Sequence, residues 1–160
     1  VKRAKAQTRA GGAIGAVDVL VVVSGAPPAA RVEAWTRSLL SKAGAERASL
    51  SVLLCGDTRM RTLNRRFRRV DRPTDVLSFP SFEESRSSLS FLGDVVIDVP
   101  CAARQARRRG HRTAREVKIL LAHGVLHLLG YDHETDDGTM FRLQRRLIFA
   151  AFGDGPDGVP

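Results

Sequence analysis

TAREVKILLAHGVLHLLGYDH (113–133) is the stretch on which the fold turns. Thr113 with Glu116 three residues on has the form of a capping box, and the dozen residues that follow, VKILLAHGVLHL (117–128), are apolar on nearly every face. A helix without a polar face is buried all round, so this one is expected at the centre of the domain, ending at Gly130. Three of the chain's four histidines fall inside the stretch, at His123, His127 and His133. His123 and His127 are four apart, so their imidazoles leave one helix face about a turn apart, as two ligands of one metal ion must. A left-handed exit at Gly130 lets the chain double back, and His133 then completes a trigonal set of nitrogens. Three neutral imidazoles leave the fourth position of a zinc ion open, which is the arrangement of a catalytic site. Asp132, Glu134 or Asp94 is the expected partner of a ligand's other ring nitrogen. A single buried histidine is more often a satisfied core residue, but two stacked imidazoles inside an apolar helix would compete for scarce partners, and a metal satisfies both.

Outward from this helix, the pattern predicts a strand at 17–23, a helix ending near 43 on the stripe Val32, Trp35, Leu39 and Leu40, and a strand at 48–55. Asp57 is placed to cap a helix with a core stripe of Met60, Leu63 and Phe67, stopping before Pro73. Strands follow at 74–80 and 92–99, joined by the polar loop 81–90, and a short, basic, peripheral helix covers 100–110. A last helix opens at Thr135 with Asp136 and Asp137, carrying apolar rows Met140, Leu143, Leu147 and Phe141, Ile148, Phe152. About four strands with about five helices, not in strict alternation, predict a single α+β domain: a small mixed sheet packed with helices, the metal site at the end of the central helix. The domain is expected over 17–152, between a basic flexible tail (1–16) and a flexible Gly/Pro-rich tail (153–160).

With 160 residues and 43% apolar composition the chain reads as one ordinary globular domain, and it has no apolar run of the length a membrane span needs. The basic start runs into Gly and Ala without a secretory pattern, and the two cysteines, Cys55 and Cys101, lie far apart, so a reducing cytoplasm is the expected compartment. The net charge of +9 favours a polyanionic partner. Two segments carry it: residues 59–72 hold seven Arg against one acid, and 104–118 hold six Arg and Lys118 against one acid.

The histidine spacing also matches the metalloprotease pattern H-E-x-x-H-x-x-G-x-x-H, but Gly124 stands where the catalytic Glu would be, which argues against a peptidase. HGVLHLLGYDH (123–133), together with LNRRFR (63–68), PTDVLSFP (73–80) and LGDVVI (92–97) in that order, resembles the YbeY family of bacterial rRNA maturation endoribonucleases over roughly 17–150. The loop SFEESRSSLS (81–90) matches none of its motifs. The resemblance implies a zinc-dependent endoribonuclease specific for single-stranded RNA, acting in 16S rRNA 3′-end maturation and ribosome quality control. Its partners would be rRNA and the small ribosomal subunit, with no membrane and no DNA specificity. It implies one Zn2+ per chain held by His123, His127 and His133, and it maps the family's functional Arg onto Arg68, a residue composition alone would not single out. Arg68 and Asn64, four apart, are expected on a helix face away from the core stripe, free to meet a phosphate, with Arg65 and Arg69 as RNA-binding neighbours. Two other readings remain: a non-catalytic zinc-containing ribosome-assembly factor, and a metallopeptidase.

Overall fold

The computed structural model describes residues 15–81 and 91–153. The two expected tails and the polar loop lie, but for their inner ends, outside those residues. The elements run β1 (Val17–Val21), α1 (Ala29–Lys42), β2 (Ser49–Cys55), α2 (Asp57–Arg68), β3 (Val76–Pro80), β4 (Phe91–Asp98), α3 (Val99–Arg108), α4 (Thr113–Leu128) and α5 (Thr139–Phe152). The strands form one sheet in the order β1-β2-β4-β3, in which β1, β2 and β4 are parallel and β3 runs antiparallel to β4 along one edge. This is the expected mixed α+β sheet.

Period-two alternation splits the sheet's side chains between two unequal faces. Leu50, Val52 and Leu54 of β2, with Val95 and Ile97 of β4, join the main core alongside Val32, Leu39 and Leu40 of α1 and Val117, Leu121 and Val125 of α4. Leu53 and Cys55 of β2, with Val96 of β4, face a smaller cluster with Leu77 and with Met60 and Leu63 of α2. Helix α4 is central, as its all-round apolar sequence requires: it packs on β3 and β4 beneath and against α1, α3 and α5 around it. α5 closes the far side through Met140 and Leu147.

Four local expectations need correction. Thr113 and Asp57 are the first helical residues of α4 and α2 and make no capping bond. Glu116, instead of reaching back to Thr113, is buried and bonded to Arg109. α5 begins at Thr139, four residues later than predicted, because the Asp136 carboxylate accepts the N–H groups of Gly138 and Met140 and holds the preceding residues in a turn. α3 is not peripheral: Val99, Ala102 and Ala106 are buried, and the small alanines let its backbone approach α4 closely. Its cap is Asp98, whose Oδ1 accepts the Cys101 N–H at 3.1 Å.

Candidate metal centre

His123 and His127 stand on the last two turns of α4, at a depth set by Gly124. A Cβ built at 124 would lie 2.6 Å from Cγ1 and 3.0 Å from Cγ2 of Val95, and 3.2 Å from Oγ of Ser78, so only glycine lets the helix rest this closely on the sheet. Position 124 therefore points at β4, and the carboxylate of the metalloprotease pattern has no room there.

The exit from α4 follows from its terminator. Gly130, at φ 97°, donates its N–H to the His127 carbonyl at 3.0 Å, and Tyr131 donates to the Leu126 carbonyl at 3.1 Å. These two bonds satisfy carbonyls that the helix end would otherwise orphan, and they reverse the chain. The Asp132 side chain accepts the Glu134 N–H at 3.0 Å, holding the turn that returns His133 to the helix. The three rings converge: their centroids are 4.7 Å (123 and 127), 5.1 Å (123 and 133) and 5.2 Å (127 and 133) apart. One nitrogen from each lies within 4.8 Å of the others, and Nε2 of His123 is 3.1 Å from Nε2 of His127. Zn–N bonds of about 2 Å in a tetrahedron put nitrogens about 3.3 Å apart, so the cluster could hold one ion with small side-chain adjustments.

The donor chemistry fits as well. Nδ1 of His123 meets Oε1 of Gln144 at 3.0 Å; an amide oxygen only accepts, so the proton sits on Nδ1 and the Nε2 lone pair faces the other two rings. Burial pushes the His123 pKa down, against the raising effect of that hydrogen bond. Burial also lowers His127, helped by the neighbouring His123 and His133. Both shifts favour the neutral imidazole that a metal requires. The second partner is thus Gln144 and not an expected carboxylate: Asp132 is spent on the turn, and Asp94 stands within the sheet beside Ser51, its carboxyl pushed up by burial. Phe141 also departs from its expected core row, half-exposed and stacked on His133 at 5.3 Å.

The histidine cluster opens into a cavity of about 290 Å³ whose wall includes His123, His133, Phe141, Gln144 and Arg109. A second cavity, of about 490 Å³, is lined by Arg68 and Asn64 of α2 and by Thr74 and Cys101. Both cavities share Asp75 and Gln105. The Asp75 carboxylate accepts from Gln105 Nε2 at 2.9 Å, Val76 N–H at 2.9 Å and Thr74 Oγ1 at 3.2 Å, which makes it a rigid post at the junction.

Arg68 is exposed on this wall, whereas Arg65 and Arg69 line neither cavity. Arg65 lies 3.9 Å from Asp71, and Arg69 ends α2 in the left-handed region at φ 59°. Asn64 is not free beside Arg68: it is buried, and its Nδ2 donates to the Arg72 carbonyl at 2.7 Å, bracing the loop that carries Asp75. Phe67, expected in the core stripe, is half-exposed and packs edge-on against Phe79 at 4.9 Å. Gln144 was detectable as a polar residue interrupting the apolar row of Met140 and Leu147; Asp75 lies within the PTDVLSFP block, which by itself assigns it no role, and Gln105 carried no signal, because their meeting is tertiary.

Residues 26–151 match the family model described as Endoribonuclease YbeY. The chain is 52% identical over 110 residues to an Endoribonuclease YbeY of Anaeromyxobacter dehalogenans, a match covering 69% of this chain and 56% of that relative. It is 49% identical over 104 residues to the Endoribonuclease YbeY of Aquifex aeolicus, covering 65% and 69% of the two chains. The chain thus spans little more than half the length of the first of these relatives. Its fold is similar to the solution structure of TM1509 from Thermotoga maritima, with a TM-score of 0.63 at 28% identity over 86% of this chain and 90% of that one. Motif, fold and sequence agree, and the chain belongs to the endoribonuclease YbeY family.

Proposed function

We propose that the chain is a zinc-dependent endoribonuclease that cuts single-stranded RNA, acting on the small ribosomal subunit in 16S rRNA 3′-end maturation and ribosome quality control, in the cytoplasm. The observation that carries the reading is the meeting of a three-histidine cluster and an arginine-lined cavity at one shared wall. His123, His127 and His133 would hold the ion, one per chain. When bound there, zinc supplies a Lewis acid that offsets negative charge on a phosphate oxygen. Arg68 would be the catalytic guanidinium, donating a planar pair of N–H groups to the scissile phosphate, and those bonds strengthen as charge builds on its oxygens. Gln144 keeps the Nδ1 proton of His123 in place. Phe141 stacks on His133 and forms one side of the site. Arg65 and Arg69, at the exposed end of α2, would hold flanking phosphates. A single strand, whose unstacked bases can be splayed apart, is the form of RNA that can lay successive phosphates and bases into two such adjoining cavities.

The experiment is metal content and cleavage of single-stranded and duplex RNA on one preparation, before and after chelation. The expected result is about one zinc per chain, cleavage of the single strand that chelation abolishes and zinc restores, and loss of the metal in His123→Ala, His127→Ala and His133→Ala. A chain that unfolds when stripped of zinc and never cuts RNA would favour the assembly-factor reading. Metal-dependent peptide hydrolysis without RNA cleavage would overturn the nuclease reading.

A further inference from the structure

Two acidic side chains are fully buried among the described residues, Asp98 and Glu116. Asp98 has a local task as the cap of α3. Glu116 has none: it sits in the first turn of α4 without capping it, and it faces the cavity of the histidine cluster. Its Oε1 accepts from Nη1 of Arg109 at 2.5 Å, and its Oε2 lies 3.0 Å from Nε2 of His111. Burying a carboxylate is costly even when it is paired, and buried ion pairs are often replaceable by apolar residues at no loss of stability. What the pair achieves is the placement of Arg109. That side chain is 56% exposed, yet its guanidinium is anchored from behind on a group with no freedom to move, and it lines the same cavity as His123 and His133. A guanidinium has five N–H donors, and the bond to Glu116 uses one of them, so the fork still has donors to offer an anion in the cavity.

Arg109 also lies one helical turn beyond Gln105, which belongs to both cavities. Arg68 and Arg109 therefore stand on opposite sides of the Asp75–Gln105 hydrogen bond, with the histidines on the Arg109 side. Arg107 and Arg108, on the same turn of α3, line neither cavity. We propose that Arg109 binds a phosphate of the RNA strand next to the one at the metal cluster, with Glu116 as the positioning residue that aims it. This rests on the nuclease reading, and it adds a second grip that the histidine and α2 motifs do not contain.

The test uses the full chain, a non-cleavable single-stranded 2′-O-methyl oligonucleotide for binding across a salt series, and steady-state cleavage of the matching RNA. Arg109→Ala should weaken oligonucleotide binding about 5- to 20-fold and reduce the slope of log affinity against log salt by about 0.7, the value for one phosphate on a single strand. The cleavage loss should fall on KM more than on kcat. Arg108→Ala, which removes the same charge from the same turn, should change both far less. Glu116→Gln keeps the guanidinium charge but loosens its anchor, so affinity should fall several-fold with the salt slope unchanged. Arg109→Lys should keep the slope and only part of the affinity, because an ammonium lacks the planar fork.

If Arg109→Ala does not fold, the double variant Arg109→Met with Glu116→Gln, which leaves no buried charge unpaired, replaces it. Wild-type affinity and slope in a folded Arg109 variant that has lost only thermal stability would show that the pair merely ties α3 to α4, and would overturn the proposal. Normal dependence of binding on Arg109 with no zinc-dependent cleavage by the wild-type chain would instead sink the nuclease reading and leave the phosphate grip standing.

Discussion

The histidine end of α4 and the arginine end of α2 are the two regions most densely marked in the sequence, and they differ in how they are built. The imidazoles are short, two of them stand on the central helix and the third on the turn that leaves it, and His123 is held by Gln144, delivered by a neighbouring helix. The arginines are long, stand on a helix with one buried face, and are divided among different tasks. Arg61 forms a two-bonded pair with Asp71, Arg66 lies over the Phe67 ring at 5.4 Å, and Arg68 alone of the three expected RNA-contacting arginines reaches a cavity wall. Spacing specifies geometry where side chains are short and the backbone is fixed; where side chains are long and solvated, the tertiary surface chooses among them.

The sharpest way to break this contrast is to ask whether the arginines really divide. Arg68→Ala should cut RNA cleavage about 30- to 1000-fold, equivalent to roughly 2–4 kcal/mol in the transition state, while keeping zinc and thermal stability. Arg65→Ala and Arg69→Ala should mainly weaken binding and lower its salt dependence by about one phosphate contact each. Equal kinetic losses at all three positions, removed by saturating RNA, would make the end of α2 one undifferentiated patch.

The histidine end is tested one shell out. Gln144→Leu removes the acceptor of the His123 Nδ1 proton and should lower zinc affinity about 10- to 100-fold, read in a competition with a chromogenic chelator. Unchanged affinity would mean that the ring is held by packing alone. Beneath the same helix, Gly124→Ala trades a helix-propensity gain of about 1 kcal/mol against a methyl pressed into Val95, and a net loss of about 1–2 kcal/mol in urea unfolding is expected. Gly124→Glu should not yield a folded peptidase. A stable Gly124→Glu protein would show that α4 is less tightly seated than its contact with β4 implies.

A pH-dependent effect lies away from both regions, at the cap of α3. Burial, with Asp57 nearby, pushes the Asp98 pKa up from 3.8 to about 6, against the lowering effect of the Cys101 N–H. A carboxyl whose folded pKa is raised contributes stability that is full below 3.8 and is lost as the pH rises through about 6. Melting temperature should therefore fall by roughly 5–10 °C across that window, and Asp98→Asn, which still accepts the Cys101 N–H, should flatten the fall. An identical slope in the variant would assign the fall to other groups.

Much of this was legible in the chain itself. The central helix, its Gly130 terminator, the convergence of His123, His127 and His133, and the mixed α+β sheet all follow from periods of 3.6 and 2 and from one glycine in the left-handed region, which are properties of neighbours along the backbone. The same local reasoning placed Asn64 and Phe67 wrongly, because a helical period says which residues share a face but not which face a neighbouring loop or strand will cover. Gln144 on His123, Glu116 behind Arg109, and Asp75 with Gln105 between two cavities join residues 21, 7 and 30 positions apart. No local pattern encodes such pairings, since they exist only once α3, α4, α5 and the start of β3 have packed. The helical period and the Gly130 turn determined the histidine cluster; only the packing of helices on the sheet decided what surrounds it and which cavities adjoin it.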